Sequence, residues 1–192
     1  MPIEIPQRKG DPKIFDTDEC PQDTSFEALS KMKPAFKKEG VGTAGNASII
    51  SDGASALVVM SEETARELGC DIMAVVGAQA SAAIDRKYVL VAPIWGIPKV
   101  LEKEGLTTDD VDLFEINEAF SGSSMGIIKT LNLDMEKVNV NGGSVALGHP
   151  IGASGARILT TLLYAMRQRD ARTGLATLCL GGGEAVNLIV RR

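Results

Sequence analysis

Apolar positions along the chain fall into short segments that switch between two periods. Residues 54–60 (Ala-Ser-Ala-Leu-Val-Val-Met) form a nearly continuous apolar run, the pattern of a buried strand. Ser61, followed by Glu63 and Thr64, opens a helix that closes at Leu68-Gly69. Residues 71–80 read as a second apolar strand centred on Val75 and Val76, and Pro93 opens a helix that stops at Gly105. Thr108 caps one further turn before a short strand at 111–116. Residues 119–131 put Phe120, Ile127, Ile128 and Leu131 on one helical face, and 138–148 read as a strand running into a glycine loop. The long helix expected at 152–169 is apolar or small nearly all round in its first three turns, which predicts a buried helix. Strands at 175–180 and 185–190 close the chain as an antiparallel hairpin across Gly181-Gly182-Gly183.

The upstream part is less periodic. Pro2, Pro6, Pro12 and Pro21 lie among charged residues, so 1–24 read as extended and irregular. Thr24 is the expected cap of a short helix carrying Phe26, Leu29 and Met32, ended by Pro34; a glycine loop follows at 39–46. The alternation downstream predicts an α/β fold: a mixed sheet with helices on both faces.

Composition narrows the function. The chain of 192 residues is 44% hydrophobic and 23% charged, the balance of a globular rather than a disordered protein. With 25 acidic against 20 basic residues and no basic tract, nucleic acid is not expected as a main partner. No run of about 18 apolar residues is present, so no membrane span is expected. The first residues lack the charged-then-apolar layout of a secretory leader. Cys20, Cys70 and Cys179 are far apart and form no Cys-x-x-Cys, which argues against a disulfide framework or a Cys-based metal site; a cytoplasmic setting fits best. His149 is the only histidine, so no His-rich metal site is expected. Glycine, 20 residues in all, is above the usual level of about 7%, which points to an α/β enzyme with tight turns.

Three polar clusters sit where predicted strands end. Asn117-Glu118-Ala119-Phe120 follows the 111–116 strand, at the edge where open α/β sheets receive ligands. Asn117 is open to two roles, a ligand-facing amide or a helix cap. Five glycines lie between 142 and 155, around Gly148-His149-Pro150. The approaching helix end there disfavours an imidazolium and favours a neutral ring able to act as base; a structural histidine in a packing loop is the alternative. Cys179-Leu180-Gly181-Gly182-Gly183 ends a buried strand. Cys179 is either a small core residue or a reactive thiol beside backbone N–H groups able to line an oxyanion hole.

Taken together, these clusters closely resemble the thiolase family. The matching residues are Asn117-Glu118-Ala119-Phe120, Asn141-Gly142-Gly143 through Gly148-His149-Pro150 to Gly155-Ala156-Arg157, and Cys179-Leu180-Gly181-Gly182-Gly183. Gln7-Arg8-Lys9-Gly10-Asp11 and Thr43-Ala44-Gly45-Asn46-Ala47-Ser48 resemble thiolase segments as well. The resemblance implies Claisen condensation of acetyl-CoA or thiolysis of 3-ketoacyl-CoA, with coenzyme A thioesters as substrates and no resident cofactor or metal. It implies that His149 activates a nucleophilic cysteine and holds a thioester oxygen, while Asn117 positions a water in the same hole. It further implies that Cys179 moves the α-proton, that the Gly181 N–H belongs to a second oxyanion hole, and that Ser48 and Phe36 lie near the pantetheine arm. A positioned base with a stabilised enolate oxygen, and a covalent acyl intermediate, suit this chemistry.

The family's acyl-accepting cysteine, in a Cys-x-Ser-Gly-like turn, has no counterpart: neither Cys20 nor Cys70 lies in such a turn. By resemblance, 1–48 are the tail of a CoA-binding loop domain, 49–70 the last strand and helix of the first half-domain, and 71–192 the second half-domain. The whole is then a thiolase-like half-domain completing an αβαβα layered fold whose N-terminal half is missing. A partner chain carrying the nucleophilic cysteine is expected through a large apolar interface, with further oligomerisation implied by the family. The alternatives are a non-catalytic acyl-CoA-binding or scaffold subunit and an inactive truncation product. Gln22, Val89 and Ser121-Gly122-Ser123-Ser124 depart from the usual residues, which bears on CoA affinity and chain-length preference.

Overall fold

The computed structural model describes residues 2–192. A short ribbon opens the chain: β1 (Ile3–Ile5) pairs antiparallel with β2 (Lys13–Phe15), Ile3 opposite Phe15. The expectation of irregular chain over 1–24 is corrected at these six residues. Arg8-Lys9-Gly10-Asp11 make the reversal, with Gly10 at φ +84°. Helix α1 (Phe26–Ser30) is capped by Ser25, whose Oγ accepts the Ala28 N–H at 3.2 Å, one residue after the expected Thr24. Helix α2 (Glu62–Glu67) has the expected Ser61 cap and ends at Gly69 with φ +65°.

The sheet is built from β3 (Val75–Ala83), β4 (Leu113–Ile116), β5 (Thr173–Leu180) and β6 (Glu184–Arg191), in the order β3-β6-β5-β4. β5 and β6 form the expected hairpin. β6 pairs antiparallel with β3 and β5 pairs parallel with β4, so the sheet is mixed. The parallel pair needs a crossover, supplied by α4 (Ser121–Leu131), α5 (Ser144–Leu147) and α6 (Ser154–Gln168). Helix α3 (Pro93–Glu104) joins β3 to β4 and ends at Gly105 with φ +66°, as its sequence predicts. The single turn before β4 is capped by Thr107 in a capping box with Asp110, rather than by Thr108.

Strand alternation sorts the core into two layers. Phe114 and Ile116 of β4, Leu175 of β5 and Ile189 of β6 pack with Ile97, Val100 and Leu101 of α3 and Ile127 of α4. Leu113, Ala176 and Val190 point the other way, against Ile158, Leu162, Ala165 and Met166 of α6. Helices therefore cover both faces of the mixed sheet, in agreement with the fold class read from the sequence.

Three expectations change. Residues 54–60 form no ladder, and Val58 and Val59 are 85% and 76% exposed, because no neighbouring strand among the described residues offers them hydrogen bonds. The strand expected at 138–148 reduces to one parallel bridge, Val138 to Phe114. Asn139 cuts it off: its Oδ1 accepts the Ile116 N–H at 2.8 Å and its Nδ2 donates to Ile116 O at 2.9 Å, so a side-chain amide takes the place of the next strand residue. Helix α6 buries Ile158, Leu162 and Met166, yet Tyr164 on its outer side is 54% exposed. Its expected burial all round therefore holds on one side only.

Candidate active site

β4 carries the first cluster to the edge of the sheet. The Asn117 N–H donates to Thr177 O at 3.0 Å, extending the parallel ladder by one residue, and the Ala119 N–H donates to Asn117 O at 3.1 Å. Helix α4 starts only at Ser121 with Phe120 at the cap position, so Asn117 is not a helix cap. Its side chain is instead buried, and its Oδ1 accepts the Ser144 hydroxyl at 2.7 Å. Glu118 turns to the 142–148 loop, where its carboxylate accepts the Val145 N–H at 3.2 Å and fills the space a side chain at Gly143 would need.

His149 stands at the exit of that loop. Its N–H donates to Ile49 O at 2.7 Å, and its Nδ1 lies 2.6 Å from Ser154 Oγ. Ser154 has one hydroxyl proton, which it donates to Pro150 O at 3.0 Å. Nδ1 is then the donor of the short contact and Nε2 is the unprotonated nitrogen. Partial burial, aided by the positive charge of Arg157, holds the imidazole below the ordinary histidine range. The ring is neutral near pH 7, as the sequence leads one to expect. Burial and a guanidinium lower it, not the helix end, which lies five residues on at Ser154. Gly148, at φ +91°, has no room for a side chain against the Ser51 hydroxyl, and Cys20 Sγ lies 3.1 Å from where its Cβ would stand.

Two further predicted residues border the Asn117 loop. Residues 46–48 run antiparallel to 119–121: Ala47 bridges Phe120, and the Ser48 N–H donates to Ala119 O at 3.1 Å. Phe36 meets Phe120 edge to face, ring centroids 5.6 Å apart. Cys179 lies two residues beyond Thr177 on β5 as a half-buried free thiol, and Gly181 follows at the exposed turn. Burial pushes the Cys179 thiol up from its ordinary value. The sequence argument asks for a lowered pKa if a thiolate is to serve as base, and within this chain the shift runs the other way.

A buried carboxyl group and a partly buried guanidinium lie behind these residues. Glu115, 2% exposed, sits one strand repeat before Asn117, with Arg157 of α6 at 3.8 Å. Burial pushes Glu115 up to about 8, against the pull of Arg157 and with a smaller push from Glu118. The second nitrogen of the guanidinium, Nη2, donates to Ser144 Oγ at 3.0 Å. Ser144 and Glu115 are the partners that sequence reasoning missed. Their only local signal is a carboxylate within the apolar run Leu113-Phe114-Glu115-Ile116 and an arginine in the apolar opening of a helix.

Known proteins of one family are similar to the whole chain. The thiolase C-terminal domain family model matches residues 70–192 and the thiolase N-terminal domain model matches residues 1–63. The chain is similar to the acetyl-CoA acetyltransferase of Allochromatium vinosum, at 56% identity over 100% of this chain and 49% of that protein. It is also similar to the acetyl-CoA acetyltransferase of Pseudomonas aeruginosa, at 50% identity over 100% of this chain and 49% of that protein. Among solved structures it resembles the Bacillus anthracis acetyl-CoA acetyltransferase, with a TM-score of 0.94 and 45% identity over 100% of this chain and 48% of that one. Human mitochondrial 3-ketoacyl-CoA thiolase in complex with CoA gives a TM-score of 0.87 at 34% identity, covering 99% and 47%. The chain spans about half the length of the curated relatives it matches. No helix among the described residues is long and apolar enough to cross a membrane.

Proposed function

The chain belongs to the thiolase family, and on that premise we propose that it is the C-terminal part of an acyl-CoA acyltransferase. The reaction is condensation of two acetyl-CoA molecules or thiolysis of a 3-ketoacyl-CoA, with the nucleophilic cysteine on a polypeptide that supplies the other half. In this reading 1–48 end a CoA-binding loop domain, 49–70 end the first half-domain and 71–192 are the second. The observation that carries it is the match of the entire chain to half of proteins named acetyl-CoA acetyltransferase.

The role of each residue is the one the thiolase resemblance implies, and its state in the fold bears on that role. His149, neutral with Nε2 free of a proton, is suited to take the proton of the nucleophilic cysteine on the other half and then, as an Nε2–H donor, to hold a thioester oxygen. Asn117 offers an amide at the end of β4 to hold a water against that oxygen. Cys179 keeps its proton at neutral pH. A thiol is the form that protonates the acetyl-CoA carbanion when the carbon–carbon bond breaks; the condensation direction needs that thiol deprotonated within the assembled site. The N–H of Gly181 serves the second oxyanion hole, and Ser48 and Phe36 flank the pantetheine arm beside Phe120. The split also accounts for the uncovered apolar surface formed by 56–60, 72–76 and the outer side of α6, which lines a cavity of about 550 Å³.

The test is to combine the chain with a polypeptide that carries the complementary half and follow thiolysis of acetoacetyl-CoA. Turnover is expected only from the pair, and turnover by the chain alone removes the need for a partner. His149→Ala lowers the rate of the pair by about 100-fold or more if the ring is the general base; a change of a few-fold rejects that role. An unchanged rate in Cys179→Ser rejects the proton transfer assigned to that thiol.

A further inference from the structure

The Asn117 amide is presented in one of two orientations, and the surrounding hydrogen bonds decide which. The main chain at 117 is held on both sides, by Thr177 O and by the Ala119 N–H, so rotation of the terminal amide is the freedom that remains. Ser144 Oγ, fully buried, has two polar neighbours: Arg157 Nη2 at 3.0 Å and Asn117 Oδ1 at 2.7 Å. A guanidinium only donates, so the serine oxygen accepts from Arg157 and its single proton goes to Asn117. The atom of Asn117 facing Ser144 is therefore the carbonyl oxygen, and the NH₂ group is the free end.

Arg157 is an unusual residue for this place. Its Nε and Nη1 are buried without an acceptor, and the nearest Glu115 oxygen is 3.8 Å from Nη1. Its well-made bond to a side chain is the one to Ser144. The side chain as a whole is 19% exposed, but a cation with two buried nitrogens lacking acceptors weakens a fold, and such a group calls for a role other than stability.

We propose that Ser144 and Arg157 are positioning residues for the reaction. A one-way hydrogen-bond relay, from the guanidinium through Ser144 Oγ to Asn117 Oδ1, turns the Asn117 amide so that its donor end is presented to the reacting side. This rests on the acyl-transfer reading above, in which Asn117 acts as donor to a water that supports a thioester oxygen. Without the relay the amide samples both orientations, and in one of them it offers a carbonyl oxygen where a donor is required.

Two measurements test it. In the pair with the complementary half, Ser144→Ala lowers kcat about tenfold with KM changed less than twofold. In an Asn117→Ala background the same change costs less than twofold, because the group it orients is gone. An equal loss in both backgrounds, or no loss with Asn117 present, overturns the proposal. The second measurement does not depend on turnover. With the chain ¹⁵N-labelled and bound to the complementary half, the Asn117 side-chain amide signals, assigned by their loss in Asn117→Ala, are expected to be a single well-resolved pair. Ser144→Ala and Arg157→Met are expected to broaden or shift them. Signals unchanged by both variants refute the relay even if the pair is active. Signals that respond in a pair without turnover leave the relay standing and reject the acyl-transfer reading.

Discussion

The segments 54–60 and 175–180 have nearly the same local character, short apolar runs that read as buried strands, and they end in opposite states. Leu175 and Ala176 lie inside a sheet covered on both faces, with 0% and 6% exposure, whereas Val58 and Val59 stand mostly in solvent. Each residue of β5 is paired with one of β6 and, over 174–177, with one of β4; residues 54–60 have no such neighbours among the described residues. A strand is completed by the ladders beside it, so an apolar run without them keeps its composition and loses its burial. The same contrast divides α6, which covers the sheet with Ile158, Leu162 and Met166 and leaves Tyr164 outside.

The largest expected effect falls on the closed side. Phe114→Ala removes a 2% exposed side chain from the α3–α4 layer and costs about 3–5 kcal/mol, read from the urea midpoint of the chain. A loss under about 1 kcal/mol means that this core is not the closed one described. Next comes the open segment in the presence of its complement. Val58→Asp weakens association with the other half by tenfold or more, since a valine worth about 1.5–3 kcal/mol on burial is replaced by a charge. If affinity is unchanged, 54–60 are not at the interface.

Glu115 gives a pH test of the closed half. Its folded-state pKa, about 8, lies above the ordinary 4.5, so between those values the folded chain binds more protons than the unfolded one. Stability then falls as pH rises across that window and levels off above it. Glu115→Gln is expected to flatten the slope; an unaltered slope assigns it to another group. His149 works in the opposite sense. Its lowered folded-state pKa means that its contribution is kept above the ordinary 6.5 and lost as pH falls below it, which a titration of the single imidazole measures directly. The smallest effect is Val58→Ser in the chain by itself, expected within about 0.5 kcal/mol of the parent because the residue is already exposed. Hydrogen exchange sharpens the same contrast: slow amides in β5 and β6, fast ones at 54–60, and protection of the latter only with the other half bound.

Elements with both an interior pattern and a stop signal were legible from the residues alone. α3 runs from Pro93 to its Gly105 cap, the β5–β6 hairpin turns at three glycines, and Asn117 and Cys179 stand at or near strand ends as their motifs indicate, whereas His149 follows the short helix α5 because the strand expected before it does not form. Errors concentrate where one side chain outweighs a pattern. The amide of Asn139 satisfies both backbone groups of Ile116 and ends the strand expected to run on through 148, and Ser25 and Thr107 take the caps expected of their neighbours. The β1–β2 ribbon carries no signature in the sequence because its strands are three residues each, too short for a period to show.

The linear chain, read by itself, determined the α/β class, the family resemblance and the three clusters, because periodicity, turn residues and motif spacing are local properties. Only the tertiary structure decided the Ser144 bond that fixes the Asn117 side chain, the nitrogen of His149 that carries the proton, and the pairing of buried Glu115 with Arg157. Each of these depends on groups brought together from distant parts of the chain, where burial strengthens charges and leaves a hydrogen-bonding atom few partners to choose among.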